Sequence, residues 1–303
     1  MTQVEQAWTN RTLVRWMATQ WCNYKCAYCQ QDHGRKRYYK GSPAHWADNR
    51  PWQDWLAAFT KHFTNYVTMH MTGGEPLLDR KNVEPLITRL LDIGWTMSID
   101  TNGSFPCEGW AINKSPIGLQ VSYHPTEVSE EVWFNNLERI LTNGWTVDMV
   151  AYVAVPGTLD TIKRITNRLH ILHIPINTHP LDFHSDQYST EEMEFIRKYL
   201  PATDLEYRTG KPTTGNSCLY PSVSYEVDPD GSVIVSCHRA LGPQYHGSIW
   251  EDILPQRPKG HTPCPREKCD CEERYTFQEH LGYNIGRSPK GAYSSRLKEL
   301  QLC

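Results

Sequence analysis

Short apolar and β-branched runs alternate with longer segments of helical periodicity over the first two thirds of the chain. Apolar residues three and four positions apart predict amphipathic helices, and compact apolar runs between turn residues predict strands. The predicted strands are 13–19, 66–71, 95–100, 117–123, 146–155 and 174–181, and the predicted helices are 52–63, 83–91, 129–141, 159–172 and 189–200.

Two of these helices carry more detailed predictions. Ser189, followed by Glu192 three positions later, predicts a helix start with a capping box. The helix that begins at Ser129 is expected to turn an apolar face inward, formed by Val132, Leu137, Ile140 and Leu141.

Six strand-helix units in succession predict an α/β fold, a partial (β/α)6 TIM-like barrel with a parallel sheet and right-handed crossovers. In parallel barrels the chemistry lies at the carboxyl ends of the strands. The sequence places four polar or cysteine-bearing segments at such ends, namely 22–29, 73–76, 101–104 and His124. We therefore expect these segments to lie on one face.

The pattern changes after about residue 204, where helical periodicity stops and turn residues become frequent. Residues 223–227 and 233–235 alternate around Asp228-Pro229-Asp230-Gly231, which predicts a β-hairpin. We therefore predict a barrel domain at 1–205 and a small C-terminal β-hairpin, cysteine-rich domain at 206–303.

Composition and charge narrow the class of protein. The chain has no apolar run long enough to span a membrane, and residues 1–10 lack the apolar core of a secretory signal. Ten cysteines without such a signal indicate metal ligands in a reducing compartment more than disulfides, so a cytoplasmic location is expected. A net charge of −3 gives no general attraction to nucleic acid.

Cys22, Cys26 and Cys29 lie within eight residues directly after the first predicted strand. Soft thiolate ligands select iron-sulfur clusters, zinc or cuprous copper. Three cysteines can hold three irons of a cubane cluster and leave the fourth open to a ligand, which favours chemistry over electron storage. The alternative is part of a zinc site with a distant fourth ligand.

This spacing, C-x3-C-x2-C with Tyr28 before the last cysteine, resembles the cluster motif of the radical S-adenosylmethionine (SAM) superfamily, and Gly73-Gly74-Glu75-Pro76 resembles its GGEP motif. The resemblance implies a 4Fe-4S cluster that cleaves S-adenosyl-L-methionine to a 5′-deoxyadenosyl radical, with an electron donor such as flavodoxin or ferredoxin. It further implies contacts to SAM from the residues Tyr28, Gly73, Gly74, Glu75, Asn102 and Ser122.

A second group of cysteines surrounds the predicted hairpin and resembles the SPASM and twitch extensions of that superfamily. The resemblance implies an auxiliary 4Fe-4S cluster, with a structural zinc ribbon as the alternative. Five residues compete for its four ligand positions: Cys218, Cys237, Cys264, Cys269 and Cys271.

The sequence indicates the catalytic residues and the substrate less clearly than it indicates the cluster ligands. Cys107 follows the 101–104 loop and is a candidate hydrogen-atom donor, while His124, His179 and Asp182 are candidate proton acceptors. The expected reaction is oxidation or cross-linking of a small molecule or peptide, and the basic, aromatic segment 33–41 slightly favours an anionic group. The alternatives are an isomerase or epimerase acting on a modified nucleobase or peptide, and a zinc-stapled binding module without catalysis.

Overall fold

The computed structural model describes residues 11–29, 50–64, 66–181, 187–199, 212–235, 243–264 and 267. Several residues named above lie outside this part of the chain: Cys237, Cys269, Cys271, Asp182 and the segment 33–41. Within the described residues, no helix is long and apolar enough to cross a membrane.

The described chain alternates strands and helices from the start and ends in short strands. The strands are β1 (Arg11–Thr19), β2 (Tyr66–Gly73), β3 (Thr96–Thr101), β4 (Ile117–Tyr123), β5 (Thr146–Ala154), β6 (Ile176–Pro180), β7 (Ser217–Cys218), β8 (Ser224–Val227), β9 (Ser232–Val235), β10 (His246–Ser248) and β11 (Thr262–Pro263). The helices are α1 (Trp52–His62), α2 (Arg80–Asp92), α3 (Glu130–Thr142), α4 (Leu159–Ile171), α5 (Thr190–Tyr199) and the short α6 (Tyr220–Val223).

Strands β1 to β6 lie side by side in chain order, and every neighbouring pair among them is parallel. The complete sheet has nine strands in the order β10-β9-β8-β1-β2-β3-β4-β5-β6. This arrangement confirms the predicted α/β class and agrees with a partial TIM-like barrel of six parallel strands.

The main hydrophobic core lies between the helices and one face of the sheet. Alternate residues of each strand join it, because successive side chains of a strand point to opposite faces. Trp16 of β1 meets Trp55 and Phe59 of α1 with ring centroids 5.0 Å apart in each case. Truncating a fully buried tryptophan of this kind typically costs about 3–5 kcal/mol of stability. The opposite face of the parallel strands forms the barrel interior.

Helix α3 contacts this core with a different face from the one that the sequence predicted. Its buried residues are Trp133, Phe134, Leu137 and Ile140. Val132 and Leu141 are 50% and 36% exposed, so their predicted burial is wrong. Because 3.6 residues make one turn, the large aromatic side chains at 133 and 134 rotate the buried stripe away from 132 and 141.

The connection between β3 and β4 contains no helix in residues 102–116, all of which are described. No individual helix was predicted there, so the count of six strand-helix units was one helix too high. Pro106 and Gly109 interrupt helical periodicity there. The loop is instead held by aromatic rings and their N–H groups. Trp110 Nε1 donates to the carbonyl of Pro106 at 2.7 Å, and Trp145 Nε1 donates to that of Cys107 at 3.2 Å.

The capping box that opens α5 is confirmed. Ser189 Oγ accepts from the N–H of Glu192 at 3.2 Å, and the Glu192 carboxylate accepts from the N–H of Ser189 at 2.9 Å. The other oxygen of Glu192 accepts from the N–H of Gly157 at 2.6 Å. The cap therefore also ties α5 to the loop between β5 and α4.

The predicted hairpin is present as β8 and β9, which pair in antiparallel fashion. Strand β8 also pairs in parallel with β1, with Leu13 opposite Ser224 and Trp16 opposite Val227. The C-terminal segment is thereby joined by backbone hydrogen bonds to β1, the strand that leads into residues 22–29, which we call the cysteine loop or cysteine turn. The predicted domain boundary at 205 lies outside the described residues and stays a prediction.

Candidate functional site

The residues that end β2 and follow it form main-chain hydrogen bonds to the residues just before Cys22, at positions where glycine allows the two chains to approach closely. The N–H of Gly74 donates to the carbonyl of Thr19 at 2.8 Å, and the N–H of Glu75 donates to that of Trp21 at 2.7 Å. A Cβ at Gly73 would lie 2.1 Å from Thr19 O, and one at Gly74 would lie 2.0 Å from Trp21 O. Gly73 also has a φ of +147°. Glycine is therefore required here for contact between two main chains.

Glu75 is fully buried and connects this loop to the end of β3. Its Oε1 accepts from Thr101 Oγ1 at 2.9 Å and from the N–H of Leu77 at 3.3 Å. Its Oε2 accepts from the N–H of Asn102 at 2.6 Å. Burial raises the pKa of Glu75 to about 7, although these three hydrogen bonds favour the ionised form. The carboxylate thus holds β2 and β3 together beside the cysteines.

Asn102 continues the connection from Glu75 to the first cysteine. Its Nδ2 donates to Asn23 Oδ1 at 3.0 Å and to Cys22 Sγ at 3.6 Å. Its Oδ1 accepts from the N–H of Ser104 at 2.9 Å. Hydrogen bonds to ligand sulfurs are one of the factors that set the reduction potential of iron-sulfur clusters. Asn102 is therefore in position to influence the reduction potential of a cluster held by Cys22, and both this role and its predicted contact with SAM stay predictions.

Cys22, Cys26 and Cys29 lie on a half-exposed turn, and all three are free thiols. The N–H of Tyr24 donates to Cys22 Sγ at 3.4 Å, and the N–H of Cys29 donates to the carbonyl of Cys26 at 3.0 Å. Burial, then the Glu127 carboxylate and the other two thiols, raise the pKa of Cys26 to about 12. Burial also raises the pKa of Cys22. A metal centre reverses this balance because it binds thiolates directly.

The donor set is compatible with an iron-sulfur cluster, whose protein ligands are thiolates. Among the residues that the structure describes, no three His, Cys, Asp or Glu side chains are grouped so that they could hold one metal ion. Cubane ligands do not need to converge on one position, because each thiolate binds a different iron. Three neighbouring free thiols on an accessible turn meet that requirement.

His124, at the end of β4, supports the cysteine loop from the other side. Tyr28 O–H and His124 Nδ1 are 3.2 Å apart, and the two rings stack with centroids 6.0 Å apart. Tyr24 meets the same imidazole edge-on at 5.9 Å. Burial lowers the pKa of His124 to about 4, so the ring is neutral at pH 7. The structure brings His124 and Tyr28 together as the strand-end prediction expects, while their roles stay predictions.

Cys107 and Ser122 occupy different surroundings. Cys107 is buried in the core that contains Trp110 and Trp145, and burial raises the pKa of its thiol. Ser122 lies on β4 on the face opposite the core, and its carbonyl accepts from Trp133 Nε1 at 3.1 Å. The burial of Cys107 gives no support to its predicted hydrogen-donor role, which stays a prediction.

Two of the predicted auxiliary ligands are brought together by the small sheet of β7 and β11. Thr262 lies opposite Cys218, and the N–H of Cys264 donates to the carbonyl of Asn216 at 2.8 Å. Cys218 and Cys264 are therefore diagonal neighbours on one face of an antiparallel ladder, where such pairs lie about 7–8 Å apart. Both are buried, and Cys264 Sγ donates to Thr213 Oγ1 at 3.7 Å. The sequence analysis grouped these thiols, but it did not predict the ladder that joins them.

A row of charged and polar residues on the barrel-interior face was missed by the sequence analysis. His70 Nε2 lies 2.9 Å from Asp100 Oδ2, and His70 Nδ1 lies 2.8 Å from Ser98 Oγ. Arg15 is opposite His70 on β1 and 4.0 Å from Glu226 of β8. Although burial opposes ionisation, His70 and Arg15 hold the pKa of Asp100 below its usual value. The available signal was polar side chains at alternate positions of strands that otherwise carry apolar residues.

These features define a class of protein: a partial α/β barrel that presents three thiols and a buried glutamate at the carboxyl ends of its strands. Over residues 16–114 the chain matches the family model described as the radical SAM superfamily. The resemblance to that superfamily is therefore confirmed. A search of curated protein sequences found no match.

Solved structures with the same fold include SuiB of Streptococcus suis bound to S-adenosylmethionine, with a TM-score of 0.55 and 12% identity, covering 81% of this chain and 65% of that chain. SuiB bound to the precursor peptide SuiA has a TM-score of 0.54 and 12% identity, and the match covers 81% of this chain and 64% of that chain. Native anSMEcpe with bound AdoMet has a TM-score of 0.51 and 13% identity, and the match covers 90% of this chain and 84% of that chain. At these identities the likeness shows the fold, and the chain spans slightly less than two thirds of the SuiB chains.

Proposed function

We propose that this protein is a radical SAM enzyme that holds a 4Fe-4S cluster on Cys22, Cys26 and Cys29 and binds SAM beside it. The observation that carries the proposal is the continuous chain of contacts from Glu75 through Asn102 to Cys22. When bound, the cluster and SAM supply reductive cleavage to a 5′-deoxyadenosyl radical that abstracts hydrogen from a substrate.

The protein residues have separate tasks in this proposal. Gly73 and Gly74 allow their loop to contact the main chain just before Cys22. Glu75 holds the same loop to the end of β3 through its hydrogen bond with Thr101. Neutral His124 and Tyr28 hold the far side of the cysteine turn. Such support from neighbouring groups limits the positions that ligands can adopt, which is how active-site geometry is maintained.

We further propose a net oxidation or cross-linking of a peptide or small-molecule substrate. Two solved structures of the same fold have bound peptides: SuiB with its precursor peptide SuiA, and anSMEcpe with the Cp18Cys peptide. Asp100, Glu226 and Arg15 retain partly accessible side chains on the interior face. These charges suit a substrate with polar groups more than a hydrocarbon. The burial of Cys107 gives no support to the epimerase alternative, which needs an accessible hydrogen donor.

An auxiliary 4Fe-4S cluster is part of the same proposal. Cys218 and Cys264, together with Cys237 and one of Cys269 or Cys271, would hold it. The diagonal placement of Cys218 and Cys264 supports this ligand set. A second cluster gives the electron of an oxidised substrate somewhere to go, and a flavodoxin or ferredoxin in the cytoplasm would reduce the first cluster.

The test is anaerobic reconstitution followed by iron analysis and an assay of SAM cleavage. Two 4Fe-4S clusters require about eight irons per chain, and reduced protein should form 5′-deoxyadenosine from SAM. The Cys26→Ala variant should lose SAM cleavage because its cluster keeps only two protein ligands. Tightly bound zinc without iron uptake would instead support the non-catalytic zinc module and refute the proposal.

A further inference from the structure

The turn between β4 and α3 contacts the cysteine turn on both sides of Cys26. The N–H of Glu127 donates to the carbonyl of His124 at 3.0 Å, which closes this turn. At the start of the turn, His124 Nδ1 lies 3.2 Å from Tyr28 O–H. At its end, Glu127 Oε2 accepts from the N–H of Lys25 at 3.0 Å. The Glu127 carboxylate is thereby held against the residue that directly precedes Cys26.

No cation neutralises the Glu127 carboxylate among the residues that the structure describes. It makes no salt bridge to a Lys, Arg or His there, and its two hydrogen bonds come from neutral groups, a main-chain N–H and the hydroxyl of Thr126. Glu130, three residues further on, is different, because its oxygens lie 3.2 Å from Arg164 and 3.1 Å from Arg168. Glu127 therefore keeps an uncompensated negative charge beside the cysteine turn.

The distance from this charge to Cys26 is short. Glu127 Oε2 is 3.0 Å from the main-chain nitrogen of Lys25. Because consecutive Cα atoms are about 3.8 Å apart, the carboxylate oxygen is at most about 8 Å from the Cα of Cys26. The Debye length at 0.1 M ionic strength is about 10 Å, so salt screens the charge only in part over this distance.

Two effects of this contact would change the reduction potential of a cluster held by the cysteine turn. Nearby charge and hydrogen bonds to the sulfurs are among the factors that set the potential of an iron-sulfur cluster. A negative charge opposes the addition of an electron and so lowers the potential. The N–H of Lys25, which lies between Cys22 and Cys26 in the chain, donates to Glu127 and is not available to a cluster sulfur. Without that donor the added electron is stabilised less, which lowers the potential further.

We propose that Glu127 lowers the reduction potential of the cluster held by Cys22, Cys26 and Cys29. This rests on the proposed function, in which one electron passes from the reduced cluster to SAM, whose carbon–sulfur bond breaks to give methionine and a 5′-deoxyadenosyl radical. A lower potential gives this electron transfer a larger driving force. Glu127 acts through its charge and through the N–H of Lys25, and it binds neither iron nor SAM.

The experiment is a potentiometric titration of the anaerobically reconstituted protein, followed by electron paramagnetic resonance without added SAM. The signal of this cluster is the one that the Cys26→Ala variant lacks. Glu127→Gln removes the charge and keeps an oxygen that can accept from the N–H of Lys25. The ratio of reduced to oxidised cluster at a fixed potential should rise at least about threefold in this variant, or about 28 mV at 59 mV per tenfold. Glu127→Ala also frees the N–H, and its potential should rise at least as far.

Glu138→Gln is the matched control. It removes the same unit of charge from an exposed position on α3, and no hydrogen bond or salt bridge of Glu138 is lost within the described chain. Glu138 lies eight residues after Glu130, about 12 Å further along the helix axis. Its replacement should therefore leave the midpoint potential unchanged.

Three results would overturn the inference. An unchanged midpoint potential in Glu127→Gln would exclude an effect of the charge, whatever Glu127→Ala does. An equal rise in Glu138→Gln would assign the effect to the net charge of the protein. Loss of iron from Glu127→Gln alone would show that the residue only holds the cysteine turn in place. If wild type takes up no iron, the proposed function itself fails; a bound cluster whose potential does not respond to Glu127 refutes only this inference.

Discussion

Glu75 and Asn102 are joined by a 2.6 Å hydrogen bond from the N–H of Asn102 to the buried carboxylate. The side chain of Asn102 then reaches Cys22 Sγ. Through this connection, the glutamate of the Gly-Gly-Glu-Pro loop acts on the first cysteine by way of β3, in addition to any contact that it makes with a ligand.

Changing Glu75→Gln should lower stability by about 1–3 kcal/mol. At pH 6 the buried Glu75 carboxyl is mostly protonated, but both of its oxygens can still accept hydrogen bonds. The amide nitrogen of Gln cannot accept from Asn102 N–H or Thr101 Oγ1–H, which leaves a buried group unpaired. Urea unfolding of the wild type and variant at pH 6 measures the difference. Equal unfolding midpoints would show that the two hydrogen bonds contribute nothing.

Glu75 should also make the stability of the wild-type protein depend on pH. The free energy of unfolding should fall as the pH rises from about 4.5 to about 7 and level off above that range. Folding raises the pKa of Glu75 from 4.5 to about 7, so the folded state binds its proton more tightly than the unfolded state. The resulting stabilisation is fully present below pH 4.5 and disappears as the pH passes 7. Unfolding of Glu75→Gln over this range should lack that component, and an identical pH dependence would contradict the assignment.

Changing Gly74→Ala should displace the cysteine loop. The new Cβ would be 2.0 Å from the carbonyl oxygen of Trp21, a main-chain atom that cannot move alone. We expect a destabilisation of at least about 1–3 kcal/mol and a marked loss of iron on reconstitution. Gly144→Ala is the control, because Gly144 also has positive φ but a Cβ added there would have no atom within 4 Å. It should cost only about 1 kcal/mol and retain iron.

The Tyr28–His124 contact should couple the two residues by about 1 kcal/mol. Either single variant removes their hydrogen bond while an aromatic ring remains at both positions, so the effects of Tyr28→Phe and His124→Phe should not add. Unfolding of the two single variants and the double variant gives the coupling energy. Since burial lowers the pKa of His124 to about 4, the coupling should be the same at pH 6 and pH 8. Strict additivity would show that the contact is incidental.

Changing Cys218→Ser or Cys264→Ser should reduce iron from about eight to about four per chain while preserving SAM cleavage without substrate. Both thiols lie on the β7–β11 ladder, a separate sheet from the one that contains β1 and leads into residues 22–29. Cys107→Ser is the matched control: its thiol is also buried, but it lies in the aromatic core, and the iron content of this variant should not change. Full iron content in both ladder variants would remove Cys218 and Cys264 from the ligand set.

Local patterns in the sequence were sufficient for the class of fold and for the position of the cysteine turn. Periodicity depends on neighbours a few residues apart, so strands β1 to β6 and the cap at Ser189 could be predicted from the chain alone. The same is true of the spacing of Cys22, Cys26 and Cys29, because three ligands within eight residues lie on one turn whatever surrounds them.

Tertiary structure decided the features that depend on pairing between distant segments. Residues far apart in sequence meet only through tertiary pairing. The hydrogen bond from Asn102 N–H to Glu75, the pairing of β8 with β1, and the diagonal placement of Cys218 and Cys264 could therefore not be predicted. The prediction of the buried face of α3 was wrong for a related reason. The helix has more than one apolar stripe, and the shape of the core decides which of them is buried. Sequence determined which residues are available for chemistry, and long-range packing determined which of them lie close enough to act together.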